Sequence, residues 1–212
     1  NGEDETRPAL IFADVADNPG GGGGGNTTWI LSALHDAGAF GVLFGVFFDP
    51  ALAGEAHKRG ENASFDATFN AADETEYSKK FEAPAKVLAL SDGECVGRRG
   101  LWGGRALSLG PTALLDLDSR IKVIVVSNRK QCADPVFFEM FGLDIAEART
   151  VVVKSRGHFR AGFDEFFDDD RVIEVDAPGL TSPVLSRFDF NNLPRPVFPL
   201  DQDAQWAGPE WD

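Results

Sequence analysis

The sequence predicts an α/β protein: a mostly parallel sheet with flanking helices, carrying an antiparallel β insertion over about residues 62–117. Three observations carry that prediction. Short apolar runs alternate with segments of helical spacing at both ends of the chain. In the middle the pattern changes to period-two alternation punctuated by turn signals. Six consecutive glycines, Gly20 to Gly25, lie between the first strand pattern and the first helix pattern. Such a run is entropically costly to order, so its placement marks a point where backbone must approach something closely. With 212 residues, 43% of them hydrophobic and 18 of them Phe, the chain can bury a substantial core as one domain with an insertion.

Each element has its own signal. Leu10, Ile11, Phe12 and Ala13 form a short apolar strand. Ile30, Leu31, Leu34 and Ala37 recur at helical spacing, which predicts a helix over 29–37 with Thr28 as N-cap and Gly38 closing it. The run FGVLFGVFF over 40–48 reads as a second buried strand. Asp49-Pro50 then starts a short helix through Ala56, with Gly60 past its end. In the insertion, Phe65, Ala67 and Phe69 alternate with polar residues, and 86–90, 105–109 and 113–117 read as strands. Ser91-Asp92-Gly93-Glu94 and Leu109-Gly110-Pro111 supply turns. The first kind of alternation then resumes: strand 122–126, helix 135–141, strand 150–153, helix 157–167 and strand 172–175. Beyond Asp176, prolines at 178, 183, 194, 196, 199 and 209 predict an extended segment wrapped over the surface. The expected organisation is one domain over 1–201 and a tail over 202–212.

A formal net charge of −14 and a pI near 4.6 exclude nucleic acid and anionic membranes as natural partners. They leave a small molecule, a peptide or another protein. No apolar run reaches transmembrane length, and residues 1–7 are polar rather than a signal peptide. The absence of an initiator Met leads us to expect an excised domain or processed fragment. Cys95 and Cys132 make neither a CxxC nor a disulfide framework, so a reducing, cytoplasmic setting is expected. The sequons at Asn26 and Asn62 are then chance matches.

Polar residues fall where the predicted strands end: Asp14, Asp49, Asn128 and Arg129, Lys154 and Ser155, and Asp176. If those strands are parallel, the residues crowd the rim where open α/β sheets bind ligands. Strands simply ending where polar residues begin accounts for part of this pattern. It accounts less well for KSRGHFR over 154–160, a basic cluster opening a predicted helix in an acidic chain, because cations there oppose the helix dipole. We therefore expect Lys154 and His158 to hold a carboxylate or a developing oxyanion, with Ser155 beside them. The amides of Gly20, Gly21 and Gly22, with Asn18, Thr27 and Thr28 at the following helix start, offer a second anion site. The two are expected to converge to within about 10 Å, roughly one Debye length. His35 and His57 lie near helix ends that favour a cation and read as structural. There is no HExxH and no Cys/His cluster, so this chain alone supplies no zinc site. A dinucleotide site fits poorly, because Asp14 and Asp17 would place negative charge where a pyrophosphate binds.

Together, ALIFADVADNPGGG from Ala9, Thr27-Thr28, Phe48-Asp49-Pro50, Asp134-Pro135, VVVKSxxHFR over 151–160, VDAPG over 175–179 and RPVFPLD over 195–201 resemble the C-terminal domain of the microcystinase C (MlrC) family of metallopeptidases. The matches run in order over nearly the whole chain. The resemblance implies a two-domain, zinc-dependent amide-bond hydrolase. In that family a larger N-terminal domain, absent here, supplies most metal ligands and this domain closes the cleft over a peptide or amide substrate. It also implies that Asp14 and Asp17 of the ADxADNPGGG segment face the active site. A carboxylate there is suited to orient or deprotonate a metal-bound water, and Lys154 or His158 to stabilise the oxyanion. The competing expectation is a non-catalytic module whose glycine loop captures a carboxylate or phosphate.

Overall fold

A computed structural model describes residues 8–72, 75–205 and 208; the polar start over 1–7 and much of the 202–212 tail lie outside the described residues. In chain order the elements are β1 (Leu10–Asp14), α1 (Trp29–Asp36), β2 (Val42–Phe48), α2 (Pro50–Arg59), β3 (Ser64–Phe69), β4 (Phe81–Ser91) and β5 (Glu94–Val96). They continue with β6 (Ala106–Ser108), β7 (Thr112–Leu117), β8 (Ile121–Val126), α3 (Val136–Glu139), β9 (Thr150–Val153), α4 (Arg160–Phe163) and β10 (Val172–Val175). Eight strands make one sheet in the order β10-β1-β9-β2-β8-β7-β4-β3. The first five run parallel to one another, and β7, β4 and β3 continue the sheet antiparallel. β5 and β6 form a separate antiparallel pair. The architecture is α/β with a mostly parallel sheet.

Within the antiparallel insertion over 62–117, β3, β4 and β7 extend the main sheet, and β5 and β6 make the separate pair. The pattern of β7 explains why: Leu114 joins the core on one face, while Ala113, Leu115 and Leu117 join the core on the other. A strand apolar on both faces belongs inside a sheet covered on both sides. One cover is α1 and α2, whose Ile30, Leu31, Leu52, Ala53 and Ala56 pack with Phe44, Val123 and Val125. The other is α3 and α4, where Phe137, Phe138 and Phe163 pack with Ile11, Leu43, Val151 and Val153. Neighbouring residues of one strand therefore serve opposite cores, as strand geometry requires.

Several boundaries differ from expectation. α4 spans Arg160–Phe163, against a predicted 157–167, because Gly157 and Gly162 weaken helix propagation. Phe159, Phe163 and Phe167 are nonetheless buried as one stripe. β4 begins at Phe81, well before residue 86, and accommodates Pro84 because its pairing with β7 starts only at Ala85. β5 occupies part of a predicted turn. After Asp176 the chain forms turns and a short 3₁₀ segment at Leu185–Arg187 instead of an extended strap. Thr28 precedes α1 but does not cap it with its side chain; its hydroxyl donates to the Lys79 carbonyl, 2.7 Å away.

Asp49 does cap its helix. Its Oδ1 accepts from Leu52 N at 3.0 Å and its Oδ2 from Asn70 N at 2.8 Å, tying the start of α2 to the end of β3. Asp49→Ala is expected to cost about 1–2 kcal/mol. A urea midpoint unchanged from the parent would show that water satisfies both amides equally well.

The site is positioned by one topological fact. From β1 the chain crosses to β2 by way of α1 on one face, whereas from the neighbouring β9 it crosses to β10 by way of α4 on the other face and in the opposite direction. The carboxyl ends of β1 and β9 therefore part at a switch point.

A buried lysine and a glycine loop at the switch point

Register pairs Ala13 of β1 with Val153 of β9, so the next residues, Asp14 and Lys154, lie side by side at the strand ends. Lys154 is 0% exposed. Its Nζ donates to Asp14 Oδ2 at 2.9 Å, Asp17 Oδ2 at 2.8 Å and the Thr27 carbonyl at 2.8 Å, with Thr27 Oγ1 at 3.1 Å. An ammonium has three N–H bonds, and these acceptors occupy them all. The rings of Phe44 and Phe47 lie 5.7 and 5.6 Å from Nζ and close the site from the core side.

Asp17 is held from two sides. Besides Lys154, its Oδ1 accepts from Gly25 N and its Oδ2 from Thr27 N, both at 2.7 Å. Asp14 Oδ1 accepts from Asp17 N at 3.2 Å. Two carboxylates and one ammonium are thus enclosed together, at 1% and 2% exposure for the acids. Burial pulls the Lys154 pKa down, but attraction to Asp14 and Asp17 outweighs it and holds the ammonium above its ordinary value. Burial pushes Asp17 up, yet the Lys154 charge and the bonds from Lys154, Thr27 and Gly25 bring it below the usual carboxylate range. For Asp14 burial wins, with the Asp17 charge adding to it, and its carboxyl is raised.

These contacts revise the expected roles. Lys154 and the glycine loop do come together, but the anion between them is the chain's own Asp17. Gly20 N donates to Asn18 Oδ1 at 3.0 Å. Gly21 and Gly23 donate to Asn18 O at 2.9 Å, and Gly22 to Pro19 O at 3.2 Å. The loop amides turn inward and form no open cradle, which removes the observation behind an anion-binding module. Glycine is needed for two local reasons: Gly22 and Gly25 have φ of +100° and +76°, and a Cβ on Gly23 would lie 2.8 Å from Asn18 N. Lys154 does not stand at a helix start either, since α4 begins at Arg160. The conflict with the dipole that suggested a substrate-binding cation does not arise. Asp14 and Asp17, expected to face a cleft, are enclosed, at 1% and 2% exposure.

Two features remain open to solvent. His158 is exposed, and its Nδ1 lies 3.1 Å from Gln131 Oε1. Gln131 Nε2 donates to Ser155 Oγ at 2.8 Å, and Ser155 itself is 0% exposed. Sequence reasoning did not single out Gln131, because its role arises only from packing against Gly20 of the distant loop: a Cβ on Gly20 would lie 2.5 Å from Gln131 Oε1. The second feature is a groove of about 690 Å³ whose lining includes Asn18, Gly21, Tyr77, Arg156, Arg187 and Phe188. Tyr77, Phe188 and Phe190 form a contiguous aromatic wall, with centroids 6.5 and 6.1 Å apart. Asn18 N donates to Thr181 Oγ1 at 2.9 Å, which fastens the glycine loop to the segment carrying that wall. Of the other histidines, His57 Nε2 lies 3.0 Å from the Thr112 carbonyl and His35 Nε2 3.3 Å from Asp118 Oδ2. Among the described residues no group of three or more His, Cys, Asp or Glu side chains is placed to hold a metal ion. No helix among them is long and apolar enough to cross a membrane.

The fold and site define an α/β domain whose groove lies beside a braced loop at the switch point of its sheet. The chain belongs to the MlrC C-terminus family, whose model matches residues 12–192. It is also similar to the crystal structure of a protein named "Putative metallopeptidase" from Mesorhizobium sp. BNC1, with a TM-score of 0.81 and 27% identity. That similarity covers 96% of this chain and 40% of the Mesorhizobium chain, so this chain spans well under half of that longer protein. Among curated proteins there is no match.

Proposed function

We propose that the chain is the C-terminal domain of a zinc-dependent amide-bond hydrolase, contributing His158 and the groove lined by Arg156 and Tyr77 to an active site completed by a metal-bearing N-terminal domain. The observation that carries this reading is the family match, joined to similarity with a longer metallopeptidase-named chain of which this one spans 40%. The described residues do not themselves make a zinc donor set. The metal is therefore assigned to the remainder of the longer protein, where bound zinc supplies Lewis-acid polarisation of the scissile carbonyl.

This chain's share is binding and proton handling. The aromatic wall of Tyr77 and Phe188 takes apolar side chains of a peptide or amide substrate, and exposed Arg156 offers a fork for a substrate carboxylate. Exposed His158 is the group suited to give a proton to the departing amine or take one from water. Asn18 and Gly21 form the floor nearest the loop. Asp14, Asp17 and Lys154 act at one remove: they brace the loop against the sheet so that the groove keeps its shape. Free Cys95 and Cys132 suit a reducing cytoplasm.

The test is hydrolysis by the longer protein that carries the N-terminal domain, assayed on a panel of peptide amides. Turnover should vanish on chelation and return with zinc, while the 212-residue chain alone should show none. No zinc-dependent cleavage of any amide by the longer protein, or full activity in the isolated chain, would sink the proposal.

A further inference from the structure

We infer that Gln131 is a positioning residue that fixes the tautomer of His158, placing the proton on Nδ1 and leaving Nε2 as the free nitrogen. One hydrogen-bond chain imposes this state. Gln131 Nε2 donates to Ser155 Oγ at 2.8 Å, which leaves its Oε1, an acceptor only, facing His158 Nδ1 at 3.1 Å. A contact between that oxygen and a ring nitrogen is a hydrogen bond only when the nitrogen carries the proton. The bond made by one ring nitrogen decides the state of the other. Nε2, across the ring from Gln131, is then unprotonated whenever the imidazole is neutral.

The side chain that imposes this is itself held. Gln131 is 5% exposed and Ser155 0% exposed, so the bond between them is shielded from water. Gly20 packs directly on the amide, and its missing side chain leaves the space in which Oε1 sits, since a Cβ there would lie 2.5 Å away. Gly20 is in turn pinned by its bond to Asn18 Oδ1. The glycine loop, which makes no anion cradle, thus serves two side chains at once: its Gly25 amide holds Asp17, and Gly20 seats the glutamine that orients the histidine. A buried amide suits this better than a carboxylate, because it orients the ring without burying a negative charge.

The inference deepens the proposed function by naming how its proton carrier is prepared, and its test reads the ring directly, without turnover. The 212-residue chain, labelled with ¹⁵N-histidine, is examined by long-range ¹H–¹⁵N spectra at a pH of about 8.5, above the ordinary histidine range. A His158→Asn variant assigns the His158 signal among the three histidines. The Nδ1–H form should dominate in the parent. It should become the minor form in Gln131→Met, which keeps the bulk but has no acceptor, and in Gly20→Ala, whose Cβ displaces the amide. Gln131→Glu should retain it, because a carboxylate oxygen also accepts from Nδ1–H. A parent spectrum dominated by Nε2–H would overturn the inference, as would an unchanged Nδ1–H population in Gln131→Met. If Gln131→Met does not fold, the parent, Gln131→Glu and Gly20→Ala spectra still decide. Hydrolysis that fails in the longer protein for other reasons leaves the tautomer signature intact, so the two proposals fall separately.

Discussion

Lys154→Met is expected to lower stability by about 3–5 kcal/mol, the range for removing one partner of a buried ion pair. The variant keeps the volume but leaves Asp14 and Asp17, at 1% and 2% exposure, facing each other without a counter-charge. It also leaves the Thr27 carbonyl without its 2.8 Å donor. Total stability of a domain is only about 5–15 kcal/mol, so the loss takes much of the margin. The two acids should behave differently. Asp17 has its pKa lowered, so it stabilises the fold above its ordinary value and loses that contribution as pH falls through the lowered one. Asp14 has its pKa raised, so its ionised form opposes folding at neutral pH. Asp17→Asn should therefore cost more than Asp14→Asn at neutral pH. The raised Lys154 value means that its contribution is fully present below about pH 10.4 and fades as pH climbs through the raised pKa. Urea unfolding of the three variants and a pH series on the parent provide the check. A Lys154→Met midpoint equal to that of the parent would show that the cluster braces nothing.

His158→Ala should have the opposite profile. The side chain is exposed and packs no core, so the unfolding midpoint of the 212-residue chain should hardly move. In the longer protein kcat should fall by about 10²–10⁴-fold, the usual contribution of a positioned general acid or base. A large drop in kcat with little change in KM would place His158 in the chemical step, whereas a rise in KM alone would make it a binding contact. Undiminished turnover would remove it from the mechanism. Asp17→Asn and His158→Ala together then separate residues that hold the site from the one that works in it.

Most of the fold was legible because its strands carry strong local signals. TVVV at 150–153 and VIEV at 172–175 form strands at the predicted residues. The limits of α4 were not legible, because the phenylalanine stripe that suggested a helix persists through turns that Gly157 and Gly162 interrupt. At the site, sequence reasoning found Asp14, Asp17, Lys154 and the glycine loop but not which way they point. Strand order decides that: only when β1 and β9 are known to be neighbours does the pairing of Ala13 with Val153 bring Asp14 against Lys154. A basic residue after an apolar strand looks the same in sequence whether it enters solvent or turns beneath two carboxylates. Gln131 carried no local signal at all, since its partners, Gly20, Ser155 and His158, come from other elements.

The sheet order also bears on how the chain reaches its native state. β3, β4, β7 and β8 follow one another in the sheet in chain order, with only the β5-β6 pair between β4 and β7, so this meander is able to assemble early from contacts of short sequence separation. β1 has no such option. Both its partners, β9 and β10, come from the last third of the chain, so Leu10–Asp14 must wait at least until Thr150–Val153 has left the ribosome and is flanked on both sides only after Val175. Until then the glycine segment is an open loop and Asp14 and Asp17 are solvated. Closure of the site is consequently a late event, with Lys154 desolvated only as β1 slides between its two partners. Slow, high-contact-order docking of this strand is the expected final step, and truncation before β9 should leave it without either partner.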